Sequence, residues 1–180
     1  SLEITGYVGL PLVELTESMM CGPGVRLVQR KLEADLEALL SLYENRGYPY
    51  CAVKPEVKLT PGVDTARVRI VIDEGPFVRI DTVRFTGNRA TKPGVLHREL
   101  RLTSGEPYSQ RSVDRALQVL RRLPFLLEAE ETGLETDSRT GRTALVIAVE
   151  EARSGRVHGG IGYAPNPGGT GAGLTGALSL

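Results

Sequence analysis

The chain of 180 residues has no tryptophan, and its aromatic residues amount to only 5% of the sequence. It contains no run of about 18 apolar residues, which excludes a transmembrane helix. The first residues, 1–4, have neither the basic nor the apolar region of a signal peptide, so none is expected here. The formal net charge is zero and no segment is strongly basic. Nucleic-acid binding, which needs clustered Lys and Arg, is therefore not expected.

Residues that could carry catalysis are also scarce. The only histidines, His97 and His158, lie in different regions, and neither is next to a serine or cysteine motif. The glycines at 159–162 are not followed by the helix that phosphate binding requires. We therefore expect no catalytic residues, no cofactor, no metal and no small-molecule substrate.

The two cysteines, Cys21 and Cys51, have no metal-ligand spacing and no histidine nearby. In an oxidising compartment they could form a structural disulfide. The alternative is that they remain as two partly buried free thiols. The sequence leaves both alternatives open.

The chain contains an internal repeat. Residues 66–75 alternate in the manner of a half-buried strand, and 77 residues later residues 143–151 show the same alternation and acidic ending. A helical run ends at 42–49 and again at 120–125. The strand at 80–88 loosely matches residues 2–9. These landmarks predict two copies, each with the order strand, helix, helix, strand, strand.

Apolar residues recur at helical spacing in both long helices. The first stripe is Val28, Leu32, Leu36, Leu39, Leu40 and Tyr43, and the second is Val113, Ala116, Leu117 and Leu120. On the first helix we expect the solvent face to carry Arg30, Glu33, Asp35 and Glu37. Ser109 is the predicted N-cap of the second long helix. Turn residues 60–62 and 138–141 then predict a hairpin in each copy.

This pattern predicts an α+β fold with two tandem modules. Each module has a three-stranded sheet with two helices on one face. The predicted boundaries are 1–75 and 76–152, because Gly75-Pro76 breaks the chain between the copies. The alternative is a single irregular α+β domain.

Residues 153–180 differ from the rest, with nine of the 21 glycines and no acidic residue. A flexible linker is one interpretation. The alternation instead favours a hairpin of two strands, apolar on one face, as in the start of an outer-membrane β-barrel. Two strands cannot close a barrel, so we expect this hairpin to be incomplete. The predicted lipid-facing residues are Val157, Ile161, Tyr163, Leu174 and Leu178.

Several motifs together resemble the POTRA module. They are Thr86-Gly87-Asn88 after a first strand, residues 105–109 before a long helix, Gly47-Tyr48 after one, and the exit at 73–76. Residues 159–163 look like the first barrel strand of BamA/TamA-like outer-membrane β-barrel assembly proteins, the bacterial surface antigen family. One departure is Leu123-Pro124-Phe125, which replaces the glycine-aromatic pair in the second module.

The resemblance implies an outer-membrane protein whose modules face the periplasm. It implies partners of two kinds, unfolded outer-membrane protein clients and accessory assembly subunits, with attachment to the outer membrane through the barrel. It implies no enzyme activity. Two alternatives stay open, the POTRA region of a two-partner secretion transporter and a purely structural POTRA scaffold.

The strands themselves suggest how clients are bound. Pro55 interrupts the alternating strand 53–59, and proline belongs at a sheet edge. The matching strand 127–132 is strongly acidic, which also suits an edge. An exposed edge can bind extended peptides by β-augmentation. The predicted partner-binding residues are Val53, Pro55, Val57, Leu59, Leu127 and Ala129. Alternatively, Pro55 and the charges prevent strand pairing and the modules are spacers.

Overall fold

The computed structural model describes residues 1–17, 19–59, 65–152, 158–165 and 172–179, and it describes the side chains only before residue 153. No helix within these ranges is long and apolar enough to cross a membrane. The first module contains β1 (Leu2–Thr5), α1 (Leu12–Thr16), α2 (Gln29–Glu44), β2 (Ala52–Leu59) and β3 (Ala66–Asp73).

The second module repeats this order, with two short strands added. It contains β4 (Arg79–Ile80), β5 (Thr82–Thr86), α3 (Pro93–Glu99), β6 (Glu106–Pro107), α4 (Gln110–Leu120), β7 (Leu126–Thr136) and β8 (Thr143–Glu151). Two further strands follow, β9 (His158–Pro165) and β10 (Ala172–Ser179). The predicted α+β fold, with strand, helix, helix, strand and strand in each copy, is confirmed.

Each module has a three-stranded sheet with its last strand in the centre. The orders are β1-β3-β2 and β5-β8-β7. In the first sheet β1 runs parallel to the central strand β3, and β2 runs antiparallel to it. In the second sheet β5 and β7 have the same orientations relative to the central strand β8. This topology leaves β2 and β7 at sheet edges, as the proline and the acidic residues predicted.

Each module has its own hydrophobic core. Alternate residues of β3 (Val68, Ile70 and Ile72) are buried together with α1 and α2 residues. In the second module Leu145 and Ile147 of β8 pack in the same way. Every member of the α4 stripe is buried, and Leu32, Leu39 and Tyr43 of the α2 stripe are buried. Val28 precedes α2 and is exposed.

The spacing of the repeat is not constant. Gly6 and Gly87, which both have φ near +85°, are 81 residues apart, as are the turn glycines Gly24 and Gly105. Ile72 and Val149 are 77 residues apart. The difference arises because α4 is five residues shorter than α2 and the loop after it is two residues shorter, while β7 is three residues longer than β2. The single spacing of 77 residues therefore holds only for the last strand.

Asp35 corrects the prediction for the solvent face of α2. Its side chain is 1% exposed, because the carboxylate accepts hydrogen bonds from the backbone N–H groups of Met20 and Cys21, both at 2.7 Å. The carboxylate therefore ties the segment after α1 onto the long helix. A charged residue that satisfies buried donors belongs to the core, although its charge alone predicts a surface position.

A glutamate closes each module by the same geometry. The Glu74 carboxylate accepts from the N–H groups of Val8 (2.7 Å) and Gly9 (2.9 Å) and from the Tyr43 hydroxyl (2.9 Å). In the second module Glu151 accepts from the N–H groups of residues 89, 90 and 91 at 2.7–3.0 Å. Each carboxylate joins the exit of the last strand to the loop after the first strand.

The tail forms an antiparallel hairpin. The register places Tyr163 opposite Leu174, Ile161 opposite Gly176 and Gly159 opposite Leu178. The predicted hairpin is therefore present. Val157, also predicted to face lipid, lies outside the described residues, as does the turn predicted at 60–62. The turn predicted at 138–141 is present at 138–140.

Because the backbone at Gly87 lies close to the Val149 carbonyl, a side chain at Gly87 should lower the free energy of unfolding. A Cβ at Gly87 would lie 2.2 Å from the Val149 carbonyl oxygen, whereas one at Gly105, with the same φ of +84°, meets nothing within 4 Å. Gly105→Ala should cost about 1–2 kcal/mol from backbone conformation alone. Gly87→Ala should cost clearly more, measured by urea unfolding of residues 1–152. Equal losses would contradict the close approach.

The Glu151 carboxylate should make stability depend on acid pH. Hydrogen bonds from the backbone N–H groups of Ala90, Thr91 and Arg89 lower its pKa from 4.5 to about 2. Because the folded pKa lies below the unfolded one, the stabilisation is present above pH 4.5 and is lost as the pH falls towards 2.

Glu151→Gln should therefore be less stable than the wild type at pH 7, and this difference should shrink between pH 4.5 and pH 2. Urea midpoints across that range provide the measurement. Glu150→Gln, at the exposed neighbouring position, is the matched control. A difference that does not change with pH would mean that the carboxylate charge is unimportant.

Candidate functional site

The edge strand β2 pairs with β3 without a register shift over its eight residues. The pairs run from Ala52 opposite Asp73 to Leu59 opposite Ala66, with Pro55 opposite Ile70. Its other edge faces no strand among the described residues. The regular ladder makes this edge straight and continuous, which is the geometry that an added strand requires.

The helices cover only the beginning of β2. Val53, Pro55 and Val57 lie opposite Ile72, Ile70 and Val68, which are the buried residues of β3. Directly opposite residues share a face of the sheet. Yet Val53 alone packs on the core, while Val57 is 44% exposed and Leu59 is 76% exposed. The far half of β2 thus presents an open apolar strip.

The opposite face of this sheet carries charge. Arg69 of β3 lies between Glu3 of β1, at 3.2 Å, and Glu56 of β2, at 3.7 Å. These three residues are in register across the sheet. Exposed ion pairs of this kind contribute little to stability. They do keep this face polar, so that the apolar strip lies on one face only.

The edge strand β7 is less regular. Its pairing with β8 shifts register between Leu126 and Glu128 and again between Glu131 and Gly133. Such bulges interrupt the ladder and twist an edge away from partners. The Arg121 side chain also donates from Nε to the Ala129 carbonyl oxygen at 2.8 Å. One main-chain acceptor of this strand is therefore already occupied within the chain.

The two residues predicted as contacts on β7 differ in exposure. Leu127 is 63% exposed, whereas Ala129 is 0% exposed and belongs to the core of the second module. The side chain of Ala129 is consequently not available to a partner. Sequence alternation alone did not reveal this, because the bulge next to Leu127 changes which residues face inward.

The modules meet at a joint built from the loop after α2 and the start of the second module. The Gly47 carbonyl oxygen accepts from the Val78 N–H at 2.7 Å, and the Val78 carbonyl oxygen accepts from the Tyr108 N–H at 2.9 Å. These two bonds run through the linker from the end of one long helix to the start of the next. The joint therefore includes main-chain hydrogen bonds, which depend on geometry rather than on side chains.

Aromatic packing closes the same joint. The rings of Tyr48 and Phe77 meet edge to face with centroids 5.4 Å apart, and the Arg79 guanidinium lies 5.2 Å from the Phe77 ring centre. Gly47 has φ of +100°, and a Cβ there would lie 2.4 Å from the Phe77 ring. Only glycine allows the loop to adopt this conformation and to approach the ring so closely.

The joint also supplies the cap of α4. Ser109 occupies the predicted N-cap position but makes no capping hydrogen bond. Instead, the Asn45 side-chain oxygen accepts from the Arg111 N–H at 2.9 Å and from the Ser109 hydroxyl at 3.0 Å. The predicted N-cap residue and the first-turn donor are therefore confirmed, but the accepting oxygen belongs to Asn45 and not to the Ser109 hydroxyl. The capping oxygen comes from the first module, 66 residues away.

Acidic side chains gather beside this cap. Burial raises the pKa of Glu44, and the charges of Asp114 and Glu131 raise it further. The Tyr108 hydroxyl donates to Glu131 at 3.2 Å, and Gln110 donates to Asp114 at 3.0 Å. The Gln110 side chain also donates to Glu131 at 3.4 Å, and this bond links α4 to β7.

Both cysteines are free and buried in the first core. Burial raises the pKa of each thiol to about 11, with the Asp35 carboxylate adding to the effect at Cys21 and Glu74 at Cys51. Both are therefore neutral thiols at pH 7. Of the two alternatives, the structure has the free thiols and not the disulfide. Within the described ranges, no group of three His, Cys, Asp or Glu residues could hold a metal.

The fold agrees with the comparison to known families. The chain belongs to the POTRA family, described as surface antigen variable number repeat, which matches residues 1–75 and 78–152. This confirms the resemblance from the sequence motifs.

Two curated relatives and one solved structure extend this finding. The chain is 24% identical over 132 residues to the outer membrane protein assembly factor BamA of Nitratidesulfovibrio vulgaris, covering 73% of this chain and 17% of the relative. It is 22% identical over 161 residues to BamA of Neisseria meningitidis, covering 88% and 20%. The chain thus spans about a fifth of the length of these relatives.

A crystal structure of BamA from Haemophilus ducreyi, lacking POTRA domains 1–3, has a similar fold. The TM-score is 0.73 at 24% identity, covering 93% of this chain and 32% of that one. At this identity the similarity supports the fold and leaves the function to be argued from the site.

Substitutions at Asn45 and Ser109 should distinguish which side chain caps α4. Asn45→Ala should destabilise the second module by about 0.5–2 kcal/mol, the usual cost of a lost N-cap. Ser109→Ala should cost less, because its hydroxyl accepts no bond from α4. Urea unfolding of residues 1–152 measures both. A loss for Ser109→Ala that equals or exceeds the loss for Asn45→Ala would contradict capping across the joint.

Proposed function

We propose that this chain is the client-binding region of an outer-membrane protein assembly machine, and that it captures unfolded β-barrel strands by β-augmentation. The observation that carries the proposal is the regular edge of β2, which pairs with no further strand in the described part of the chain and has exposed Val57 and Leu59 beside it. Main-chain pairing suits a receptor for many clients, because it depends little on their sequence.

The position of Pro55 indicates which main-chain groups are free. In an antiparallel pair, the N–H and C=O groups of alternate residues point towards the partner strand and away from it. Proline has no N–H, so it fits the ladder where its nitrogen points away from β3. By alternation, the N–H groups of Val53, Val57 and Leu59 also point to the free edge. The edge then offers three donors and lacks one at Pro55.

The apolar strip supplies the side-chain part of the binding. Outer-membrane strands alternate between apolar and small or polar residues. A client strand added next to β2 would place its apolar residues beside Val57 and Leu59, and its polar residues beside Lys54, Glu56 and Lys58. This match favours barrel strands over uniformly polar peptides.

We propose that the edge of β7 contributes less. Its two bulges and the hydrogen bond from Arg121 to Ala129 leave fewer free groups in a straight row. Leu127 remains as an exposed apolar contact. The acidic side chains of β7 suit a basic accessory subunit better than a hydrophobic client strand.

The proposed location follows from the tail and from the relatives. We propose that residues 1–75 and 76–152 are two periplasmic modules and that residues 153–180 begin a barrel in the outer membrane. In this arrangement Val157, Ile161, Tyr163, Leu174 and Leu178 face lipid. The curated relatives are named outer membrane protein assembly factors, which favours assembly over dedicated secretion or a purely structural scaffold.

Replacing one outward N–H should weaken client binding without disturbing the sheet. Val57→Pro removes a donor that points to the free edge, and Val57→Thr keeps it as the matched control. Binding of an alternating barrel-strand peptide to residues 1–152 should weaken about threefold to tenfold for Val57→Pro, the value of one hydrogen bond. It should change little for Val57→Thr. Backbone amide shifts measure both, and they should map to residues 52–59.

Two results would reject edge capture. One is a titration in which no shifts appear in β2 or β7, which would favour the spacer alternative. The other is equal weakening by both variants, which would mean that the side chain rather than the main chain carries the binding.

A further inference from the structure

Two positive charges lie directly opposite each other in the first sheet. Lys58 of β2 pairs with Arg67 of β3, and both side chains are exposed. Like charges at directly opposite positions destabilise a sheet. The ion pairs among the described residues use Arg46, Arg69 and Arg84, and none of them includes either member of this pair. In the described part of the chain the two cations therefore repel each other without a carboxylate to offset them.

The same position in the second sheet is built differently. The counterpart of the Lys58–Arg67 pair is Glu135 of β7 opposite Ala144 of β8. The Arg84 guanidinium forms an ion pair with Glu135. This copy of the fold thus has one charge where the first copy has two, and an opposite charge accompanies it. The fold itself does not require two cations side by side.

Lys58 lies in the half of β2 that offers the open apolar strip. Its neighbours Val57 and Leu59 are 44% and 76% exposed. They point to the other face of the sheet, since successive side chains of a strand alternate. A strand added to this edge would lie about 4.8 Å from β2. Its side chains would meet Val57 and Leu59 on one face and Lys58 on the other.

We propose that the far half of β2 selects client strands in which a glutamate or aspartate lies between two apolar residues. The apolar residues pack beside Val57 and Leu59, and the carboxylate between them lies beside Lys58. The row across the sheet is then Arg67, Lys58 and the carboxylate, so the added charge offsets the repulsion between the cations. This inference rests on client capture at β2 and names the class of strand that this edge captures.

The other edge carries the opposite charge. Glu128 and Glu130 of β7 are exposed, and they lie opposite Glu150 and Ala148 on the face that points away from the helices. An acidic strand added next to β7 would meet these carboxylates and be repelled. The charge of a client strand therefore favours β2 over β7 when the strand is acidic.

Lysine at a sheet edge has a second possible role, because it discourages strand pairing. In that role Lys58 would weaken the binding of every added strand, whatever its charge. Selection of acidic strands makes a different prediction. A strand with a carboxylate should bind more tightly than the same strand with a neutral residue, and the loss of Lys58 should weaken its binding.

Three peptides test the proposal with residues 1–152, which contain both hydrophobic cores and both three-stranded sheets. Each peptide has eight residues in which Leu alternates with Gln, and one central Gln is kept or replaced by Glu or by Lys. The Glu peptide should bind about twofold to fivefold more tightly than the Gln peptide, and the Lys peptide should bind more weakly by a similar factor. Raising NaCl from about 0.05 M to about 0.5 M should remove most of the difference, because salt screens exposed charges.

Two variants show whether Lys58 makes the selection. Lys58→Gln should abolish the preference for the Glu peptide. It also removes a like-charge contact, so the thermal midpoint of residues 1–152 should not fall. Lys54→Gln is the matched control, since it makes the same charge change on the same face of β2 at a position opposite Val71. This control should keep the preference.

The proposal is overturned if the Gln peptide binds as tightly as the Glu peptide, or if both variants reduce the preference equally. In either case backbone amide shifts in β2 would still support edge capture, so only the selection by charge would be rejected. If no peptide shifts the amides of β2, capture at this edge is wrong and the selection is rejected with it.

Discussion

The parallel pairing of the first strand with the last determines the rest of this structure. It places β3 and β8 in the centre of their sheets and so forces β2 and β7 to the edges. Gly6 and Gly87 maintain the pairing by allowing the chain to turn against a carbonyl oxygen of the last strand. Glu74 and Glu151 maintain it by holding the following loop. The edge position of β2 and of β7 is therefore a consequence of how each module closes.

The closure also determines how the modules join. Since the last strand is central, the chain leaves each module in the middle of the sheet, beside the loop that follows the long helix. The linker can then bond to Gly47 on one side and to Tyr108 on the other. Asn45 adds a cap to the next helix. As a result, the edge of β2 is held in a defined position relative to the second module.

Much of the fold could be predicted from the sequence, because it depends on local patterns. Alternation of apolar and polar residues predicted the strands, and helical spacing predicted the buried stripe of α4. Pro55 and the acidic residues of 127–132 predicted the two edge strands. The rest depends on contacts between distant residues. Asp35 is buried because it accepts from two amides of another segment, and Ala129 faces inward because of a bulge. The first turn of α4 donates to the Asn45 oxygen and not to the hydroxyl of its N-cap Ser109. No local pattern contains these three facts.

The central claim is that β2 offers alternate main-chain groups to an added strand. Amide hydrogen exchange with and without a bound client strand measures this most directly. The claim predicts that exchange of the Val53 and Val57 amides slows at least about tenfold in the complex. The amides of Lys54 and Lys58, which point to β3, should change little. Slowing that is uniform along β2, or absent from Val57, would contradict it.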